Sequence, residues 1–393
     1  MLDPDRPKMS SMDRPRVLFL INSLTGGGAE RIMSILLANS RHKAAEFDIH
    51  LALLDRETGV YPIPDWVTVH QLDCRFSLAR SFPQFRRLIE LLEPAVTVSF
   101  LTRANVANCL AMPRTGRPAI ISERINTDVQ LGGGLRGLIT RGIVRHAYPK
   151  ASRVIAVARG IGDTLVRSYG VSASKIDVIP NPVDIDAIRA WGSEPCAGVP
   201  EGPFVFAMGR LVPNKNFPLL LRAFAKAGVP GRLVIAGEGP ERASLIALAE
   251  ELGLADRLVL PGFLANPHAV LAHARTFVLS SNAEGFPNSL IEALTLGISA
   301  VATNCADGPA EILAGVTRQE VTGTRETPAG ILVPTNDVDA LAAALRRLED
   351  PGLRQSLVDG GRKLAENYSV ATSVSRYWEI IERELAYVRA EPA

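Results

Sequence analysis

With 393 residues, 47% of them apolar and 21% charged, the chain has a globular composition and exceeds what one hydrophobic core usually supports, so two domains are expected. The net charge of +2 is uneven, 25 Lys and Arg against 18 Asp and Glu in residues 1–190 and 18 against 23 in residues 191–393; a basic front half fits an anionic surface or acceptor, or merely an arginine-rich solvated face. Residues 1–15 lack the apolar stretch of a signal peptide, no apolar run reaches the roughly 18 residues of a bilayer span, and Cys74, Cys109, Cys196 and Cys305 lack C-x-x-C spacing, so a cytoplasmic protein without a disulfide framework or zinc site is expected.

Arg16–Ile21 reads as a buried strand that runs into Gly26-Gly27-Gly28 and then a helical pattern through Ile32, Leu36 and Leu37. Strand, glycine-rich turn and helix open a doubly wound α/β domain. The glycines lack G-x-G-x-x-G spacing and no acid follows where a ribose would need one, so a nicotinamide-dependent oxidoreductase has little support. What the glycines allow is close approach of a ligand to the backbone. Strands over 49–54, 96–100, 119–122, 153–158 and 176–179 follow, with helical patterns between them, which predicts a parallel sheet covered on both faces. The proline- and glycine-rich stretch 192–203 is the expected linker.

A second series over 204–208, 233–236, 258–260, 276–279, 300–302 and 331–333 repeats the plan. The fold class is therefore α/β, two tandem doubly wound Rossmann-like domains, 1–190 and 191–367, with a cleft between their sheet edges. The first strand of the second series enters Gly209-Arg210, with Lys215 five residues on; an Arg and a Lys in one strand-to-helix loop could both reach a diphosphate, or both be solvated.

The stretch Glu284-Gly285-Phe286-Pro287-Asn288-Ser289-Leu290-Ile291-Glu292 carries the most chemistry. It joins an apolar strand to a helical run over 289–296, so a glycine-containing loop meets a helix N-terminus, where free N–H groups and the helix dipole favour phosphate. Carboxylates beside it would accept from sugar hydroxyls. Ser289 and Glu292 also have the spacing of a capping box, in which Glu292 would fold back on its own helix and bind nothing. No cap needs Glu284.

Taken in order, Gly26-Gly27-Gly28, Asn181-Pro182-Val183-Asp184, Gly209-Arg210 to Lys215, and Glu284 with Glu292 seven residues beyond it resemble the retaining, nucleotide-sugar-dependent glycosyltransferases of the GT-B fold, family 4-like (glycosyl transferases group 1). The resemblance spans nearly the whole chain. It implies that Glu292 accepts from the donor ribose, that Glu284 contacts the donor sugar, and that the N–H groups of Asn288, Ser289 and Leu290 with the side chains of Arg210 and Lys215 hold the diphosphate and stabilise it as it leaves. It also implies that Gly262 and Phe263 pair with the nucleobase, that Gly26–Gly28 face the diphosphate from the front lobe, and that residues 368–393, with Trp378, Ile381 and Leu385 at helical spacing, return to the front domain as a helix. No metal or other cofactor is expected, since Arg and Lys supply the charge.

One departure concerns a front-lobe position where many members carry a His. Ser122-Glu123-Arg124 stands there, and Arg124 or Glu123 would point into the cleft, unless the two form a surface ion pair. The sequence offers no evident nucleophile, so front-face attack within an ion pair is favoured over a covalent intermediate. A hexose or N-acetylhexosamine donor, with uridine diphosphate favoured by the segment Asp307-Gly308-Pro309-Ala310-Glu311, and a glycan acceptor carried on a polyprenyl diphosphate are expected; no nucleic acid is. The alternatives are a nucleotide-sugar 2-epimerase of similar fold, for which no acid/base pair is assignable, and a module that only senses nucleotide sugars. Arg75, Phe76, Arg80, Phe82, Phe85, Arg86 and Arg87, then Arg136, Arg141, Arg145 and Lys150, make two basic, partly apolar segments that would attach the front lobe to an anionic inner membrane face. Alternatively Leu78, Phe85, Leu88 and Leu92 are a core stripe and the arginines its solvated edge.

Overall fold

The computed structural model describes residues 14–57, 59–124, 134–196 and 200–390. The chain divides into two compact units: residues 1–157, 161–182 and 370–393 form the first, and residues 158–160 and 183–369 the second.

The sheet of the first unit comprises β1 (Arg16–Ile21), β2 (Asp48–Leu53), β3 (Thr68–Gln71), β4 (Val96–Phe100), β5 (Ala119–Glu123), β6 (Arg153–Ala156) and β7 (Ile176–Val178). Their order is β3-β2-β1-β4-β5-β6-β7, all parallel. Because successive side chains alternate faces, β1 supplies two cores. Val17, Phe19 and Ile21 pack with Ile32, Met33 and Leu36 of the helix Gly28–Ala38 and with Tyr377, Trp378 and Ile381 of the last helix, Val370–Ala390. Leu18 and Leu20 pack on the other face with Phe85, Leu88 and Ile89 of the helix Leu78–Leu92 and with Ala104 and Ala107 of the helix Thr102–Ala111. Trp378 is 1% exposed and donates from Nε1 to Ser40 Oγ at 2.8 Å, so the chain's end belongs to the first unit's core.

The second sheet comprises β8 (Phe204–Met208), β9 (Arg232–Ala236), β10 (Leu258–Gly262), β11 (Thr276–Leu279), β12 (Ser299–Thr303), β13 (Arg325–Thr327) and β14 (Gly330–Val333). The order is β10-β9-β8-β11-β12-β14-β13, parallel except for the antiparallel edge pair β13–β14. Its core gathers Val205, Ala207, Leu233 and Ile235 with Leu220 and Phe224 of the helix Phe217–Ala227 and Leu341 and Leu345 of the helix Val338–Arg347.

Three features differ from expectation. Strands β3 and β13 are additional; Thr68, Val69 and Gln71 are exposed, as are Arg325 and Glu326, so these edge strands have no apolar run and are defined by backbone pairing alone. The units part at Pro182/Val183, eight residues before the expected boundary. The helix Ile185–Gly192, capped by Asp184 accepting from Ala187 N, buries Ile185 and Ile188 and packs on the helices Pro267–Leu271 and Asn288–Thr295, which ties it to the second unit. On the helix Leu78–Leu92 the apolar side chains Phe85, Leu88 and Ile89 face the core and Arg80, Arg86 and Arg87 solvent, the core-stripe alternative.

In both sheets the chain's direction of winding reverses beside the first strand, between β1 and β4 and between β8 and β11. At such a switch point the loops leaving the carboxyl ends diverge and open a crevice for ligands.

Candidate functional site

The switch point of the second sheet is flanked by the loops after β8 and β11, and these carry Gly209, Arg210, Lys215 and Glu284. The two loops are fastened together. Asn282 N donates to Asn214 O at 2.8 Å, Asn214 Nδ2 to Ala283 O at 2.7 Å, and Ser280 Oγ to Lys215 O at 2.8 Å. Across this seam Lys215 Nζ lies 2.6 Å from Glu284 Oε1, which also accepts from Ser281 Oγ at 2.5 Å. Both charges are largely out of water, which strengthens their attraction.

Glycines let the neighbouring loops come equally close. Gly237, φ 140°, sits so near the β8 loop that a Cβ there would lie 1.9 Å from Gly209 O. Gly262, φ 81°, takes a left-handed backbone there, with only the movable end of the Glu238 side chain over it. Gly209 N donates to Ala236 O and Gly237 N to Gly262 O, at 2.9 and 2.8 Å, so the loops after β8, β9 and β10 form one layer.

Above this layer lies a cavity of about 620 Å³, a size suited to a nucleotide-sized ligand. Gly209, Arg210, Lys215, Phe263, Glu284, Phe286, Pro287, Asn288 and Ser289 line it. The Arg210 side chain is exposed and makes no hydrogen bond or ion pair among the described residues, so an unneutralised guanidinium stands on the wall. Phe263 presents an 81% exposed ring.

Of the residues expected in the second unit, four stand off the wall, Gly262, Gly285, Leu290 and Glu292, and the expected residues of the first unit, Gly26, Gly27, Gly28 and Arg124, do not line it either. Of the three amides assigned to a diphosphate, Asn288 N–H already donates to Phe286 O and Leu290 N–H to Pro287 O, both at 3.0 Å. Proline at 287 turns the chain tightly enough to close those bonds, which leaves the Ser289 amide without a hydrogen bond among the described residues.

The capping box does not form. The helix runs Asn288–Thr295 with Pro287 at its cap and no side-chain cap bond, so Ser289 is already inside the first turn. Glu292 is 9% exposed, and its Oε2 lies 3.3 Å from Nε2 of His268, itself 8% exposed. The approach is not aligned as a hydrogen bond, so His268 Nε2 is a buried polar atom without a hydrogen-bond partner among the described residues. Asn266 accepts from His268 N and Ala269 N to start the helix Pro267–Leu271, and the Trp191 ring packs 5.4 Å from the imidazole. Sequence reasoning missed His268. Asn266-Pro267 signals a helix start, but nothing in the sequence points the histidine at Glu292.

In the first unit Gly26, φ 130°, and Gly28 have open space where a Cβ would sit, whereas Glu30 folds over Gly27. Arg124 and Glu123 do not stand at an open edge. Arg124 is 7% exposed; its guanidinium donates to Tyr377 OH at 2.6 Å, Ser122 Oγ at 3.1 Å and Asn181 Oδ1, and lies over the Phe100 ring. Glu123, 2% exposed, accepts from Tyr148 OH at 2.5 Å. Desolvation and that carboxylate hold the Tyr148 hydroxyl well above its ordinary pKa. Arg124 thus clamps the last helix to the sheet, a task its long side chain performs by reaching Tyr377.

Among the described residues no group of three or more His, Cys, Asp or Glu is placed to hold a metal, and no helix is long and apolar enough to cross a membrane. Burial pushes the Cys305 thiol up to about 12, with the Glu284 charge adding to it, which makes that cysteine unreactive.

The family model for glycosyl transferases group 1 matches residues 198–364, and that for glycosyltransferase family 4 matches residues 28–187. The chain is 34% identical over 379 residues to the lipopolysaccharide core biosynthesis glycosyltransferase LpsD of Rhizobium meliloti, covering 92% of this chain and 97% of that one. It is 27% identical over 361 residues to the N-acetylgalactosamine-N,N'-diacetylbacillosaminyl-diphospho-undecaprenol 4-alpha-N-acetylgalactosaminyltransferase of Campylobacter jejuni, covering 88% and 94%. The crystal structure of Anabaena HepE in complex with UDP matches with a TM-score of 0.73 at 19% identity, covering 94% of this chain and 100% of that one, which shows the fold. Two Rossmann-like units, matches to both family models in chain order and a near full-length relative make this chain a glycosyltransferase of the GT-B fold, group 1 and family 4-like.

Proposed function

We propose that the enzyme transfers a hexose or N-acetylhexosamine, with retention of configuration, from a nucleoside diphosphate sugar to a glycan acceptor carried on a polyprenyl diphosphate. The observation that carries this reading is the Arg210 guanidinium, unpaired among the described residues, on the wall of the 620 Å³ cavity at the switch point, beside Lys215 and the loop into the helix Asn288–Thr295. A cation without a partner in a cavity of that size is built for an anion, and Arg binds phosphate in a fork. The charge of the departing diphosphate grows along the reaction, so Arg210 and Lys215 lower the barrier by offsetting it where a metal would otherwise do so. In this reading Glu284, on the cavity wall and held by Lys215 and Ser281, accepts from a sugar hydroxyl, and Glu292, which stands off the wall beside His268, accepts from the ribose. Of the carboxylates on the wall, Glu284 is held by Lys215 and Ser281 and Glu238 lies beside Arg242, which favours front-face attack over a covalent intermediate.

The named relatives support the acceptor: one builds lipopolysaccharide core, and the other's name places its acceptor on diphospho-undecaprenol. UDP is the favoured donor nucleotide because the Anabaena structure of the same fold holds it. Both relatives are transferases, so nothing in them favours the 2-epimerase. The acceptor's lipid implies work at the cytoplasmic face of an anionic membrane. The surface offered for that contact is the helix Gly134–Ala147, which exposes Leu138 and Ile139, at 62% and 56%, and carries Arg145 in its last turn, with Lys150 just beyond its end; the Arg136 side chain is outside the described residues.

A panel of UDP, GDP and ADP sugars tests the reading, with released diphosphate scored with and without an undecaprenyl-diphosphate-linked sugar. Release that no acceptor stimulates would sink it. Product anomers read by NMR decide retention, and unchanged turnover in excess EDTA is the result expected of Arg and Lys acting without a metal. Flotation with anionic vesicles at low and high salt tests the membrane contact.

A further inference from the structure

The loop between β3 and the helix Leu78–Leu92 holds two bulky residues in the left-handed region: Arg75, φ 48°, and Phe76, φ 56°. L residues of that size rarely adopt such backbone, and it persists only where the surroundings impose it. The surroundings here are specific. Phe76 N donates to Asp55 Oδ1 at 2.9 Å, and Asp55, 3% exposed, is gripped through both oxygens by the Arg103 guanidinium. Cys74 N, two residues before Phe76, donates to Leu54 O at 2.8 Å. Asp55 follows β2, Phe76 follows β3 and Arg103 lies in the first turn of the helix Thr102–Ala111 that follows β4, so a buried ion pair unites two loops and a helix start at the carboxyl edge of the first sheet. That edge is where doubly wound sheets take their ligands. The arrangement holds the Phe76 ring 70% exposed.

We infer that Phe76 is the platform on which a sugar ring of the glycan acceptor stacks. The inference rests on the glycosyl-transfer reading and names a residue that selects the acceptor. A pyranose presents a face of C–H groups that an aromatic ring covers favourably, and the anchored backbone fixes the direction in which the Phe76 side chain leaves the chain, so only its two side-chain torsions are ordered on binding. A side chain that merely dips into lipid needs no fixed orientation, which is why the anchored loop favours a sugar over a membrane.

The test uses the full chain with its best nucleotide sugar and a water-soluble acceptor whose polyprenyl chain is shortened, so that membrane binding does not enter. Phe76→Gly removes the ring and relaxes the left-handed backbone, and is expected to fold at least as well as the parent. Acceptor KM should rise about tenfold in Phe76→Gly and Phe76→Ala, which corresponds to the energy of one aromatic contact, while donor KM and melting temperature hold and Phe76→Trp keeps the parent's acceptor KM. An unchanged acceptor KM in Phe76→Gly overturns the inference, including the case in which the variant loses only its binding to anionic vesicles. Equal rises in donor and acceptor KM that Trp does not restore overturn it too, because they mark a structural role. A parent enzyme that transfers to no lipid-linked acceptor overturns the transfer reading and this inference with it.

Discussion

Arg210 and Lys215 stand on one loop but differ in what each holds, and that difference separates their mutants. Arg210 is exposed and unpaired among the described residues, so Arg210→Ala should leave the melting temperature unchanged and lower kcat about a hundredfold, the scale of one lost charge stabiliser. Lys215 is tied to Glu284, so Lys215→Ala should lower kcat and also cost about 1–3 kcal/mol of stability by leaving a partly buried carboxylate without its cation. Full activity in both would remove the loop from the site. Glu292 makes no cap bond, so Glu292→Ala should fall on donor affinity, by about 1.5–3 kcal/mol, and calorimetric titration showing unchanged affinity would end the ribose assignment. His268→Ala should weaken donor binding through Glu292. A double-mutant cycle checks it: additive losses would show that the 3.3 Å approach positions nothing.

At the scale of elements, the site depends on three loops approaching backbone to backbone. Gly237→Ala should destabilise the protein by more than about 2 kcal/mol, since the new methyl meets Gly209 O and φ is already 140°. Gly228→Ala is the comparison: it shares a positive φ, 65°, at the end of the helix Phe217–Ala227 but has open space, so about 1 kcal/mol is expected there. Urea midpoints of the two variants measure the difference, and equal values would mean that the close approach is not maintained in solution. Strands β8 and β11 and the apolar runs between them were legible because buried parallel strands read as continuous apolar segments. Strands β3 and β13 were not, because an exposed edge strand is specified by its neighbour's hydrogen bonds.

At the scale of the whole molecule, the cavity belongs entirely to the second unit and the last helix entirely to the first. Bound nucleoside diphosphate at a hundred times its Kd should therefore stabilise the second unit by about 2.7 kcal/mol, and hydrogen exchange should show that protection in the loops after β8 and β11 before any in the last helix. Trp378→Ala should remove about 3–5 kcal/mol from the first unit by opening a cavity beside Phe19 and Phe47. The sequence by itself determined the two-sheet plan, the order of the βα units and the loops that carry Arg210, Lys215 and Glu284. Those rest on local periodicity and on the rule that ligands meet carboxyl edges. Only the tertiary structure decided that Glu292 faces His268 instead of its own helix start, that Arg124 is spent on Tyr377, and that Phe76 is held outward by Asp55 and Arg103. Each is a contact between residues from 21 to 253 positions apart in the chain, brought together by the packing of whole elements, which no local pattern encodes.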